Sequence, residues 1–209
     1  MPDESTAELR LLTRHRRRLR AAVSDMERYA HTLIDRIFPE YADVFSDPFL
    51  PSGERLIREL GLAPRDLVQQ TPQVRDLLRA ASRNRLAPET VTQLLQAART
   101  SIGVPQAEDV VQRQLVSILD FRHTLRQQIE HLEQELEQRI KKLQSPLLSL
   151  GISSTLAATI HAETDPISDF CTPDQYVAYA GLDPSLHESG DLCLRTILDG
   201  KMAVLEQDQ

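Results

Sequence analysis

Aromatic residues are scarce in this chain, and so are the other marks of several common protein classes. Of 209 residues only 4% are aromatic, there is no Trp, and Gly occurs seven times. No glycine-rich nucleotide loop is present. The two cysteines, Cys171 and Cys193, form no CxxC or Cys/His metal spacing and read as reduced thiols of a cytosolic protein. No apolar run approaches the length of a membrane span, and no charged-then-apolar leader opens the chain, so neither a spanning helix nor a signal peptide is expected. The net charge of −7 excludes a protein that binds nucleic acid over its whole surface, because phosphate affinity needs local cationic excess.

Leu, Ala, Glu, Gln and Arg dominate the composition, and these are strong helix formers. The acidity is local. From His161 to Gln209 ten acids stand against Arg195 and Lys201, a net of −8, while the rest of the chain is nearly neutral.

Ser5 and Glu8 have the spacing of a capping box, in which a hydroxyl and a carboxylate each satisfy an orphan amide. Behind them Leu12, Leu19, Met26 and Leu33 recur every seven residues, with Leu9, Val23, Ala30 and Ile37 in the complementary position and Arg16 interrupting it. This predicts one narrow apolar seam on a helix of about 33 residues, roughly 50 Å long, ending at Phe38-Pro39. A second long helix is expected from about Ala107 to Gln144. Leu115, Ile129, Leu136 and Leu143 form one series with Arg122, and Val111, Ile118, Leu125 and Leu132 form the other with Arg139. The heptads allow an antiparallel hairpin or pairing of each helix with its copy in a dimer. Arg16 and Arg122 are expected to snorkel out of the seam rather than to fix its register. Between the long helices, Pro and Gly punctuate short helical pieces, with Thr71-Pro72 and Pro88 as starts.

Two stretches are candidates for function. The first helix carries Arg10, Arg14, Arg16, Arg17, Arg18 and Arg20 within three turns, with no acid between Arg10 and Arg20. This is either a solvated face or a phosphate-contacting stripe. The second candidate runs from Gly151 to Gly190. Ser145-Pro146 stops the long helix, and a glycine turn at Gly151 leads into an alanine-rich helix. This is the plan of a helix-hairpin-helix unit whose turn amides and helix N-terminus can hold a phosphate. The usual second glycine is replaced by Ser153, and a plain helical hairpin fits as well. Thr172-Pro173-Asp174-Gln175 caps a short helix, Gly181 suits its C-terminal end, and Ser185 to Gly190 reads as a polar loop. Glu163 and Asp165 read as a solvated carboxylate pair, and Tyr176 and Tyr179 as packing the short helix.

The order of these pieces resembles the C-terminal domain of insertion-sequence transposases of the "one-ten" type, RNA-guided serine recombinases of bacterial mobile elements. The matching text is GISSTLAATIHAETDPISDF, YVAYAGLDP and HESG, and FPEYADVF after the first helix is similar to that family's middle region. The resemblance covers roughly residues 8 to 190. It implies that Ser189 is a nucleophile that attacks a DNA phosphodiester, and that Gly190 lets the backbone approach the phosphate. It also implies DNA and a guide RNA as partners, with self-association or pairing with a full-length transposase through the coiled coil. The family's RNase H-fold domain, with its metal-binding carboxylates, would precede Ser5. Magnesium therefore belongs to that domain, no metal or cofactor site is expected in this chain, and the product is read as truncated and inactive alone. A cytoplasmic location is expected, at the nucleoid when DNA is bound.

The expectation is thus an all-α protein. A first coiled-coil helix (1–39), a helical insertion (40–106) and a second coiled-coil helix (107–145) precede a small helix-hairpin-helix-like domain (146–190) and a divergent acidic tail (191–209).

Overall fold

The computed structural model describes residues 4–83, 85–164, 169–180, 185–189 and 192–196. They form helices α1 (Glu4–Ile37), α2 (Tyr41–Val44), α3 (Pro51–Glu59), α4 (Pro64–Gln69), α5 (Thr71–Ala81), α6 (Pro88–Thr100), α7 (Glu108–Lys142), α8 (Ser154–Thr164) and α9 (Pro173–Tyr179), with a 3-10 turn at Pro146–Leu150. Strands β1 (Ser185–Ser189) and β2 (Leu192–Thr196) follow. The helical frame is as expected, with α1 packed against α7. The segment expected as a polar loop is instead β1, paired antiparallel with β2. Proline stands in the first turn of α3, α4, α5, α6 and α9, where its fixed φ suits the helix and its missing amide costs nothing. Thr71 is not the cap of α5. Gln70 takes that position, and the Thr71 hydroxyl donates back to the Val68 carbonyl at 2.7 Å.

The chain divides into two compact units, Met1–Arg18 with Glu130–Gln209, and Leu19–Ile129. Both long helices contribute to each unit, so the division falls within them rather than at their ends.

In the larger unit the last turns of α1 and the start of α7 close over the short helices. Ile34, Ile37, Phe38, Tyr41, Leu56, Ile57, Leu67, Leu78, Leu94 and Leu115 share one buried core, each fully buried Leu or Ile adding about 1.5–3 kcal/mol. Tyr41 stacks on Phe45, with ring centroids 5.1 Å apart. Its hydroxyl is buried and has no partner among the described residues, and burial raises its pKa, with a smaller push from Asp47. Further along α1, Val23 packs with Leu125 and Ile129 of α7.

In the smaller unit Leu9 of α1 meets Leu136 and Ile140 of α7. In this unit Glu8 pairs with Arg139 and Arg16 with Glu133, and in the larger unit Val23 packs with Leu125 and Ile129 while Glu27 pairs with Arg122, so within each unit the two helices run antiparallel. The hairpin satisfies both seams within one chain, so the dimer alternative is not needed to bury them. Leu9, Val23, Ala30 and Ile37 are all buried, as are Leu115, Ile129 and Leu136. The two seam arginines do not snorkel. The Arg16 side chain is only 9% exposed and pairs with Glu133 at 2.7 Å. Arg122 is 7% exposed, pairs with Glu27 at 2.6 Å and with Glu54, and lies 4.7 Å from the centre of the Phe49 ring.

Candidate functional site

The glycine turn forms as the spacing implies. Gly151 closes the 3-10 turn with φ +75°, a left-handed conformation that glycine enters without steric cost. Ser153 then caps α8, its Oγ accepting from the Leu156 amide at 3.2 Å. The residue in place of the second glycine therefore occupies one of the amides that a phosphate would seek. The N-terminus of α8 faces α7, where Glu130, Glu133, Gln134 and Glu137 line a cleft with Ser154 and Thr155. Carboxylates suit a helix N-terminus, and they repel a phosphate from the same place. Ser153→Ala should destabilise the smaller unit by about 1 kcal/mol, whereas Ser153→Gly should cost only a few tenths. Thermal melts of both variants check this, and equal losses would show that the hydroxyl does not cap.

Small residues bring α8 onto the long helices. Ala157, Ala158 and Ala162 are fully buried against Leu9, Leu136 and Ile140. The C-terminal end of α8 is held by α1. Arg10 donates through Nε to the Ala162 carbonyl at 2.8 Å, and Arg14 makes two bonds to the Glu163 carboxylate at 3.0 and 3.1 Å. Cations at a helix C-terminus satisfy its orphan carbonyls and its dipole. The bond and the charge of Glu163 raise the Arg14 pKa. Glu163 is therefore a partner of α1 rather than a solvated carboxylate, and Asp165 lies outside the described residues.

The six arginines of the predicted stripe thus separate. Arg10, Arg14 and Arg16 are bonded within the protein, and Arg16 is buried, which removes it as a phosphate contact. Arg17, Arg18 and Arg20 are exposed, and among the described residues Arg17 and Arg18 have no partner. No sequence signal marked the difference, because Glu163 and Glu133 lie 149 and 117 residues from Arg14 and Arg16.

On α9 the capping box forms with a shift. Thr172 accepts from the Gln175 amide at 3.3 Å, and Gln175 reaches the amide of Cys171 rather than that of the cap residue. Phe170 packs against Tyr176 and Tyr179 with ring centroids 5.3 and 5.1 Å apart, and the Tyr179 hydroxyl donates to the Glu163 carbonyl at 3.1 Å. The two tyrosines therefore pack the short helix, as expected.

Ser189 is the last residue of β1 and pairs with Leu192, with His187 opposite Leu194 and Glu188 opposite Cys193. Gly190 lies outside the described residues. Among the described residues no three His, Cys, Asp or Glu side chains are placed to hold a metal ion. No helix among the described residues is long and apolar enough to cross a membrane.

A glycine turn, a capped alanine helix, a second capped helix and a strand pair bearing Ser189 thus follow one another in the last part of the chain. Residues 147–201 match the Transposase IS116/IS110/IS902 family, about a quarter of the chain, and the match supports a transposase of an insertion sequence. No curated protein matches the chain.

Proposed function

We propose that the chain is the DNA-processing part of an insertion-sequence transposase, with Ser189 as its nucleophile. The observation that carries this reading is the family match, which spans α8, α9, β1 and β2 and includes Ser189. The Ser189 Oγ attacks a DNA phosphodiester, a P–O bond forms to serine, and a deoxyribose hydroxyl departs with a proton supplied by a general acid. The serine's own proton passes to a base. The phosphoserine link keeps the bond energy, so the hydroxyl of a second strand can displace serine and complete strand transfer. Arg17 and Arg18 contact the DNA backbone, and a guide RNA selects the target. The carboxylates and magnesium that the reaction uses belong to the RNase H-fold domain that the resemblance implies. Self-association or pairing with a full-length transposase supplies the rest of the machinery.

The test is a denaturing gel of end-labelled element DNA incubated with the chain, a full-length relative whose own serine is replaced by alanine, guide RNA and magnesium. A covalent protein–DNA adduct is expected, and Ser189→Ala should abolish it. An adduct that survives Ser189→Ala, or no adduct with every component present, would remove the nucleophile assignment.

A further inference from the structure

A second cationic surface lies on the insertion, on other elements than the helix whose stripe the sequence singled out. Helix α5 buries Val74, Leu77 and Leu78 and packs against α3, α4 and α6. Its outer side carries Arg75 and Arg79, and the turn that follows carries Arg83 and Arg85. All four are exposed, and none has a partner among the described residues. Asp76 is the single acid between Thr71 and Pro88. On neighbouring α3, by contrast, Arg55 is bonded to Glu59 and Arg58 to Asp120.

A structural role does not account for the set. Arg79 stands in the last turn of α5, where a cation complements the dipole, but Arg75 stands nearer the N-terminal end, where an acid would serve better. Arg83 has φ +51° just past the C-cap Ser82. That position normally belongs to glycine, and an L-residue adopts the conformation only with strain. A long cation is thus held where the backbone favours no side chain. Arg75 and Arg79 are four residues apart on α5, about 6 Å along its axis, and Arg83 and Arg85 follow in the turn beyond its end.

We propose that Arg75, Arg79, Arg83 and Arg85 form a second nucleic-acid contact, which takes the sugar-phosphate backbone of a strand. The proposal rests on the reading that the chain handles nucleic acid, and it assigns part of that contact to the insertion. Exposed guanidiniums with no internal carboxylate are available to phosphates and lose nothing within the protein by engaging them. Backbone contact of this kind adds affinity without sequence preference.

The experiment measures binding of the full chain to a labelled DNA duplex and to a labelled single-stranded RNA of equal length across a salt series. The variant Arg75→Gln/Arg79→Gln/Arg83→Gln/Arg85→Gln should bind more weakly. It should also flatten the slope of log K against log salt by about 0.9 per lost phosphate contact on the duplex, or about 0.7 on the single strand. The nucleic acid with the larger change identifies which strand α5 holds. Replacing the same four residues with Lys should retain both the slope and the melting temperature, and the Gln variant should lose only the small contribution of the Arg79 charge at the end of α5.

Unchanged affinity and slope on both nucleic acids would overturn the proposal. So would a wild-type chain that binds neither, including one that binds polyglutamate instead. The variant Arg17→Gln/Arg18→Gln separates this proposal from the preceding one. Loss only in the α5 variant leaves the α5 contact standing and removes the α1 contact, and loss only in the α1 variant does the reverse.

Discussion

Replacing Gly103 with alanine should cost about 3 kcal/mol or more and lower the melting temperature of the larger unit by about 10 °C. A Cβ at this position would lie 1.9 Å from the Ile37 carbonyl oxygen, 2.5 Å from its carbon and 3.2 Å from the Phe38 nitrogen. All three are backbone atoms at the end of α1, so no side chain can swing aside. The segment that carries Gly103 cannot easily retreat either. The Val104 amide donates to the Arg36 carbonyl at 2.8 Å. The Glu40 carboxylate accepts from the Ser101 hydroxyl at 2.6 Å and from the Ile102 amide at 3.0 Å. Burial alone would raise the Glu40 pKa, and these two bonds outweigh it and hold the group below the usual carboxylate range. The glycine is therefore required by close approach of two backbone segments. Gly151→Ala is the control. Nothing lies within 4 Å of its Cβ position, and its left-handed φ alone should cost about 1 kcal/mol. Thermal melts decide the matter, and Gly103→Ala as stable as the wild type would refute the packing seen at the end of α1.

The second large effect is expected at Arg122. This guanidinium lies in the apolar series of α7, is held by Glu27 and Glu54, and sits over Phe49. Removing one member of a buried ion cluster leaves the others uncompensated, which typically costs about 3–5 kcal/mol. The Glu27 and Glu54 side chains are 25% and 29% exposed and regain some water, so Arg122→Ala should cost about 2–3 kcal/mol in urea denaturation. A triple variant, Arg122→Leu with Glu27→Gln and Glu54→Gln, should recover most of that loss, because it removes the charges together. Recovery identifies charge pairing as the cause. A loss below about 0.5 kcal/mol for Arg122→Ala would place the pair among weak surface bridges instead.

These residues show how far the chain could be read. Heptad spacing identified many of the buried positions of α1 and α7, though not Ile34, Leu119 or Ile140, because a helix repeats its face at short range, whatever it packs against. It also placed Arg16 and Arg122 in the seam. What it missed was their treatment: Glu133 is 117 residues from Arg16, and Glu27 and Glu54 are 95 and 68 residues from Arg122. Without those partners in view, a seam arginine reads as one whose head escapes to water. The arginine stripe of α1 has the same history. Arg10 and Arg14 bond to the C-terminal end of α8, and of the six only Arg17 and Arg18 have no partner among the described residues.

Around Ser189 the local pattern pointed to a polar loop. Strand formation at Ser185–Ser189 depends on pairing with Leu192–Thr196, residues that the sequence placed in the divergent acidic tail. A strand is completed by its neighbour, and a five-residue segment carries little of that information. The α5 arginines went unremarked for the opposite reason. They are spread over a helix and a turn, and they stand out only when Glu54 and Glu59 of neighbouring α3 are seen to be paired with other arginines.

The amino-acid sequence by itself determined the helical class, the two long amphipathic helices, the proline starts of the short ones, the glycine turn at Gly151 and the capped short helix after Thr172. All of these depend on residues within a few turns of one another. Only the tertiary structure decided that the long helices pair within one chain, which arginines are buried or bonded, and why Gly103 must be glycine. Each of those facts is a contact between residues far apart in the chain, and no local spacing encodes who the partner will be.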